Sequence, residues 1–251
     1  MTPFLRQVAD HYHIRGGISS KCFIFPNRRS MIFFRRYLCE RVAEDSGIPM
    51  VAPQMLTIND FFVKAADVSV TDRIRLLLCL YDCYRELNPK AESLDEFIFW
   101  GDVILGDFND VDKYLIDPLQ LFRNISDYKE IQDDYTYLSQ SQKEAINAFI
   151  RHFRDDAGRL TVNIDTDDSD VKGRFLQIWN IMQPLYDRFR SSLEARSAAY
   201  EGMIYRKVAE TLKDKGADEV FGRMFPKVDK FVFVGLNALN ECEKIVLRRL
   251  R

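Results

Sequence analysis

The stretch Phe231-Val232-Phe233-Val234 decides the fold class, because it is a continuous run of aromatic and β-branched residues. A short run of this kind predicts a buried strand. The segment from Gly235 to Asn240 interrupts the run, and a helix is predicted to begin near Glu241. The apolar residues on the inner side of that helix are expected to be Ile245, Val246 and Leu250.

Two earlier segments repeat the order of strand followed by helix. The first strand is predicted at Cys22–Phe25 and is stopped by Pro26. The helix after it has a predicted apolar stripe of Ile32, Phe33, Tyr37, Leu38 and Val42. The second strand is predicted at Met55–Thr57, and Thr57 or Asn59 can cap the next helix. Repeated strand-to-helix units indicate an α/β fold with a parallel sheet.

The region between the second and third strands is predicted to be almost wholly helical. Helix starts are indicated at Thr71-Asp72, at the capping boxes Ser93–Glu96 and Ser141–Glu144, and near Val171. We therefore expect the first part of the α/β core at residues 1–88, a helical insertion at 89–199 and a return to the core at 200–251. A parallel sheet of three strands normally has more partners, so we expect a fragment of a longer protein.

Composition indicates an ordered protein without a dominant charge. The 251 residues include 36 basic and 38 acidic side chains, so no global field draws the chain to DNA or to anionic lipid. The five cysteines lie in apolar runs, which is typical of buried thiols in a reducing compartment. No stretch has the length of a membrane span, and we predict a cytoplasmic protein without a membrane partner.

Basic residues are concentrated near the first strand. The segment from Lys21 to Arg41 carries six basic residues and one acid. Asn27, Arg28 and Arg29 follow the strand and begin a helix, where guanidinium groups and backbone amides can bind nucleic-acid phosphates. Open α/β sheets bind ligands at this edge. The alternative, that both arginines are solvated or pair with acidic residues of this chain, has about equal weight.

The acidic segments are better explained by structure than by chemistry. Asp107, Asn109, Asp110 and Asp112 could bind Mg²⁺ or act as acid and base, but we favour a role in capping and linking two helices. The loop Asp165–Asp170 lacks the Gly and Glu that a calcium loop needs. The pair Cys79 and Cys83 lacks further zinc ligands nearby, so both are predicted to be core thiols. We therefore predict no metal and no cofactor.

The two sequence motifs of nucleotide-driven motors are missing. The glycines at 16 and 17 have neither the spacing nor the Lys-Ser ending of a phosphate loop. In motor ATPases of the superfamily 1 helicase type, a strand like Phe231–Val234 ends in Asp-Glu, which holds Mg²⁺ and orients the attacking water. Gly235 and Leu236 stand at those places, so Gly235, Leu236, Asn237 and Ala238 are predicted to be a degenerate ATPase motif.

Several motifs follow one another in an order that resembles a known family. They are Phe23–Arg29, Leu56–Phe62, Trp100 with Leu105–Leu115, and Phe233–Leu239. Together they resemble the N-terminal region of AddB-type proteins, in the form common among Bacteroidetes. The resemblance spans essentially the whole chain.

The resemblance implies a RecA-like (P-loop NTPase-type) parallel sheet subdomain with a large all-helical insertion. Proteins of this type pair with an AddA-type helicase–nuclease subunit and resect DNA double-strand breaks, and their PD-(D/E)XK nuclease domain lies outside these residues. The chain would then be an inactive helicase-like fragment that contacts DNA, as a single strand or a break end. Asn27, Arg28 and Arg29 would match one DNA-contacting motif, and Thr57 would begin the next.

Two other functions are compatible with the sequence. In the first, the helical insertion docks a partner protein and the chain touches no DNA, which the near-neutral charge favours. In the second, which is weaker, the chain is an enzyme that uses the cluster Asp107–Asp112.

Overall fold

The computed structural model describes residues 2–15, 17–45, 50–89, 91–122 and 171–251. The contacts within the chain divide it into two compact units. The sheet unit contains Met1–Val68 and Ile204–Arg251, and the helical unit contains Ser69–Met203. The domain limits expected from the sequence, at 88/89 and 199/200, stay predictions. The capping box Ser141–Glu144 and the loop Asp165–Asp170 lie outside the described residues.

The described secondary structure is α/β, with a small sheet and many helices. The strands are β1 (Lys21–Phe25), β2 (Gln54–Thr57) and β3 (Lys230–Phe233). The helices are α1 (Phe4–Arg15), α2 (Arg28–Asp45), α3 (Ile58–Ala66), α4 (Arg73–Leu87), α5 (Leu94–Lys113), α6 (Val171–Ala195), α7 (Glu201–Asp214), α8 (Ala217–Phe221) and α9 (Glu241–Arg249). A short 3-10 helix, Ile18–Ser20, precedes β1.

The three strands form one parallel sheet in the order β2-β1-β3. The central strand β1 pairs with both neighbours, so that Ile24 lies opposite Leu56 on one side and Phe233 on the other. The predicted parallel α/β sheet is therefore confirmed, with each strand within one residue of its expected position.

Both faces of the sheet are covered by side chains of the same unit. The buried cluster on one face consists of Ala9, Ile18, Phe23, Phe25, Phe34, Leu38 and Val234. On the other face, the Phe61 ring lies 5.6 Å from the ring of Phe231 and 5.9 Å from that of Phe233. A strand buried on both faces needs a continuous apolar run, which explains why β1 lacks a polar alternation, whereas the edge strand β3 is only partly buried.

The predicted inner stripe of α2 is partly wrong. Phe34 and Leu38 are buried, whereas Ile32 is 52 % exposed and Phe33 is 42 % exposed. The Phe34 ring packs 4.8 Å from the ring of Phe23 in β1. Because α2 has apolar residues around most of its circumference, only this contact with the sheet decides which of them are inside.

The helical unit is held together by an aromatic cluster and a shared carboxylate. The Trp100 ring of α5 lies 4.7 Å from the Tyr84 ring of α4. Trp100 Nε1 donates to Glu92 Oε1 at 2.6 Å, and the Tyr84 hydroxyl donates to Glu92 Oε2 at 2.9 Å. Two helices thus share one acceptor, because each buried ring carries a polar group that needs a partner.

Helix starts were well predicted, because capping is local. Asp72 caps α4, and Ser93 and Glu96 form the expected capping box of α5. Thr57 caps α3, with Asp60 as the reciprocal partner. These motifs satisfy backbone amides of the first turn that have no partner within the helix.

The cysteines are free thiols, and four of the five are buried as expected. Cys39 on α2 is exposed, which corrects the expectation for that residue. Within the described ranges, no helix is both long enough and apolar enough to cross a membrane.

Candidate nucleic-acid interface

Three helices begin at one edge of the sheet. Because β1, β2 and β3 are parallel, their carboxyl ends meet at the same edge, and each strand leads into a helix there. The helices α2, α3 and α9 therefore present their N-terminal turns at this edge, where the positive ends of the helix dipoles favour anions.

A groove of about 330 Å³ opens at this edge. It is lined by Pro26, Asn27, Ile58, Gly235, Leu236, Asn237, Ala238, Leu239 and Glu243. The fold thus brings Asn27 beside the segment 235–238, although the two are far apart in the sequence. The sequence predicts Asn27 as a nucleic-acid-binding residue and the segment 235–238 as a degenerate ATPase motif. The sequence reading missed Ile58, Leu239 and Glu243, of which Glu243 could have been found from the capping-box spacing Asn240-x-x-Glu243.

Asn27 is both a groove residue and the cap of α2. Its Oδ1 atom accepts hydrogen bonds from Ser30 N at 2.9 Å and from Ser30 Oγ at 3.2 Å. The side chain is exposed in spite of these bonds. Asn27 therefore orients the start of α2, which sets the positions of the two arginines that follow.

Arg28 and Arg29 are exposed and occupy the first turn of α2. Neither arginine forms an ion pair with any residue that the structure describes. Arg36, further along the same helix, does pair, with Glu40 at 2.8 Å. Of the two readings left open by the sequence, pairing within the chain thus gains no support from the described residues.

Thr57 is placed differently from the other candidate residues. It is only 8 % exposed and does not line the groove. Its Oγ1 atom donates to Asp60 Oδ2 at 2.7 Å and accepts from Asp60 N at 3.1 Å. The geometry gives Thr57 the role of a helix cap, and direct contact with a ligand stays a prediction for this residue.

The segment 235–238 follows β3 and forms one wall of the groove. Gly235 has a φ of 71°, which a residue with a side chain adopts only with strain. The segment contains no carboxylate. Glu243 is the acid that does line the groove, and its Oε2 atom accepts from Asn240 N at 3.0 Å at the start of α9.

The acidic residues in the first turns of α3 and α9 are engaged locally. Asp60 bonds Thr57, Glu243 bonds Asn240, and Glu241 pairs with Lys244 at 2.6 Å. Asp60 and Glu243 thus cap their own helices, and Glu241 neutralises a neighbouring lysine. They are thus not ion-paired with Arg28 or Arg29, and the two arginines supply the unpaired charge of this edge.

Asp112, the last acid of the cluster Asp107–Asp112, is not available for catalysis or for Mg²⁺. The cluster lies within the single helix α5, so the expected capping role is wrong, whereas Asp112 does link α5 to α6 through Tyr186 and Arg190. Asp112 is fully buried, and its carboxylate accepts from the hydroxyls of Tyr186 and Tyr200 and from Arg190. Arg190 lies at 3.0 Å and also forms an ion pair with Asp112. A carboxylate with these partners and no exposure cannot reach a substrate.

Metal binding also lacks a ligand set in the described part of the chain, since no group of three or more His, Cys, Asp or Glu residues is assembled there. The pair Cys79 and Cys83 is buried in α4, and Cys79 Sγ lies 3.4 Å from Ser192 Oγ. The hydrogen bond between the two thiols lowers the pKa of Cys79 and raises that of Cys83.

Comparison of the chain with protein-family models and with curated proteins finds no match to either. The candidate interface is therefore defined by its own geometry: a groove at the carboxyl edge of a parallel sheet, with two exposed arginines directly after its lining residue Asn27.

Proposed function

We propose that this chain is a non-catalytic, helicase-like N-terminal region of a cytoplasmic DNA double-strand-break repair exonuclease subunit of the AddB type. Its contribution is DNA contact and subunit scaffolding beside an AddA-type helicase–nuclease. The DNA is a single strand or a break end. Nuclease chemistry belongs to a part of such proteins that these residues do not include.

The sheet topology supports the proposal at the level of the fold. Each of three parallel strands leads into a helix at one edge, and a long helical region separates β2 from β3. A RecA-like core has this arrangement, which it shares with other open α/β sheets. The finer assignment to the RecA-like class rests on the ordered motifs, of which the residues 26–27 and 235–238 line one groove.

The observation that carries the proposal is the state of Arg28 and Arg29. Both are exposed at the edge where open α/β sheets bind ligands, and no described carboxylate neutralises them. Phosphate oxygens are the natural partners of guanidinium groups in this setting. A net charge of −2 for the chain does not oppose this, because the field near the groove is set by nearby side chains.

The non-catalytic part of the proposal rests on the groove wall. A phosphoryl-transfer site needs carboxylates that hold Mg²⁺ at the end of this strand. The positions in question are Gly235 and Leu236, and Glu243 is buried and bonded at the start of α9. No ATP and no other cofactor enters the proposed role.

A salt titration of DNA binding tests the proposal. The affinity of the whole chain for a labelled oligonucleotide is measured by fluorescence anisotropy between about 50 and 200 mM salt. For the double variant Arg28→Ala/Arg29→Ala we expect weaker binding and a slope of log K against log salt that is reduced by about 2, since each lost phosphate contact removes about 1.

The matched control removes the same charge elsewhere in the sheet unit. Arg248 and Arg249 are an adjacent, exposed arginine pair in the last turn of α9, roughly 10 Å from the helix start at the groove. Arg248→Ala/Arg249→Ala is expected to leave the slope within about 0.5 of the unchanged chain. Equal slopes for both double variants would contradict the assignment of the interface.

The alternative function is protein docking through the helical unit without DNA contact. The observation in its favour is the exposure of large apolar side chains there, with Phe99 of α5 81 % exposed and Ile74 of α4 67 % exposed. Exposed apolar side chains that form one contiguous patch are typical of interfaces. Loss of partner binding on Phe99→Ala, together with no DNA signal at low salt, would select this function.

A further inference from the structure

We propose that the exposed face of α2 continues the interface beyond Arg28 and Arg29, and that it selects an unpaired nucleic-acid strand over a duplex. The face is defined by Arg28, Arg29, Ile32, Phe33, Arg35 and Arg36, and we call it the α2 face. This inference rests on the proposed function and adds the form of nucleic acid that is preferred.

The α2 face carries positive charge that is little neutralised. All four of its arginines are exposed, and residues 28–39 contain no acid. The acids of α2 lie in its C-terminal part and are already engaged: Glu40 with Arg36 and Arg6, Glu44 with Arg6 and Arg41, and Asp45 with His13. Of the four arginines, only Arg36 is ion-paired within the described chain. Charge complementarity therefore favours a negatively charged partner.

Two apolar side chains lie between the two arginine pairs. Ile32 and Phe33 are about half exposed, although burial of either would be favourable. The Phe33 ring stacks on Tyr37, with centroids 6.3 Å apart and planes 29° from parallel. The arginine pairs are seven residues apart, or about 10 Å along the helix. The α2 face thus presents a flat aromatic ring between two pairs of positive charges.

Single-stranded nucleic acid is the occupant that uses both features. Phosphates of any strand can bind the arginines, but a base can stack on Phe33 only when it is not enclosed in a duplex. Continuity supports the same partner, because Arg28 and Arg29 of the α2 face directly follow Asn27, which lines the groove. The apolar residues should therefore determine the preference for a single strand, and the arginines the general affinity.

The test compares a deoxythymidine oligonucleotide with a hairpin duplex, using the whole chain. For Phe33→Ala we expect the affinity for the single strand to fall about 10-fold, while duplex affinity and the salt slope stay unchanged, since one stacking contact and no charge is lost. Arg35→Ala/Arg36→Ala should weaken the binding of both ligands and reduce the slope of log K against log salt by about 2. The control Phe99→Ala removes an exposed ring from the helical unit and should change neither affinity.

The outcomes separate this inference from the function on which it rests. If Arg28→Ala/Arg29→Ala weakens binding but Phe33→Ala leaves the ratio of single-strand to duplex affinity unchanged, the interface stands and the α2 face is refuted. If the unchanged chain binds neither ligand at low salt, both proposals fail.

Cys39 offers a direct readout of occupancy. It is the one exposed cysteine among the five of this chain, and it lies one helical turn beyond Arg35 and Arg36. A fluorophore on Cys39 is expected to respond to the single strand and less to the duplex. A response to polyglutamate without any response to nucleic acid would assign the α2 face to an acidic protein and overturn the inference.

Discussion

This chain contains two polar clusters, one exposed to solvent and the other buried. At the edge of the sheet, Asn27, Arg28 and Arg29 remain exposed beside an open groove. In the helical unit, Asp112 is fully buried and is bonded by Tyr186, Tyr200 and Arg190. Charged residues in a short span are compatible with either outcome. Burial and partners, not residue type, decide which cluster can meet a ligand.

The sharpest way to break this comparison is to remove the buried carboxylate. Asp112→Ala should lower the free energy of unfolding by about 3–5 kcal/mol, because Arg190 and two hydroxyls lose a buried partner. Urea unfolding followed by circular dichroism measures the loss. Asp110→Ala, an exposed position on the same helix, should stay within about 0.5 kcal/mol. If Asp112→Ala does not fold, Asp112→Asn tests the same network with its shape kept, and unchanged stability of that variant would refute the structural role.

Alkaline pH should act on the same network. Burial and the neighbouring Asp112 carboxylate raise the pKa of Tyr186 to about 12 and that of Tyr200 well above its usual value. Because an unfolded tyrosine has a pKa of about 10, the stabilisation from Tyr186 is complete below that pH, and about 3 kcal/mol of it is lost as pH rises from about 10 to about 12. Measured at a series of pH values, the free energy of unfolding of Tyr186→Phe should fall less steeply with rising pH than that of the unchanged chain. An identical decline would exclude Tyr186 as a cause.

Replacing one glycine in each unit by alanine should change the stability in opposite directions. Gly235→Ala in the groove wall should cost about 1–2 kcal/mol, because its φ of 71° is unfavourable for a residue with a Cβ. Gly106→Ala in α5 should instead stabilise by up to about 1 kcal/mol, since an added Cβ meets nothing within 4 Å. Thermal unfolding of both variants measures the difference, and a loss in each would contradict it.

The smallest expected effect separates the two roles of Asn27. Asn27→Ala should cost about 1 kcal/mol of stability, because the cap of α2 is lost. Asn27→Asp keeps a good cap and should keep stability, but it places a negative charge beside Arg28 and should weaken DNA binding. A variant Asn27→Asp that binds DNA as well as the unchanged chain would remove Asn27 from the interface.

The sequence predicted the fold class more fully than the site. Strand positions and helix starts follow from neighbours within a few residues, such as the apolar run Phe231–Val234 and the box Ser93–Glu96. Groove residues could be named only one segment at a time. That Asn27 and Gly235 line one groove follows from the pairing of β1 with β3, which no local pattern contains.

What the sequence by itself determined is therefore local: three apolar strands, the caps that begin the helices after them, and the absence of carboxylates at Gly235 and Leu236. Tertiary structure alone decided which side of α2 is buried, since Phe34 rather than Phe33 meets the sheet. It also decided that Asp112 is buried while Arg28 is exposed to solvent. The physical reason is the same in each case: the solvation of a side chain depends on groups that lie far away along the chain.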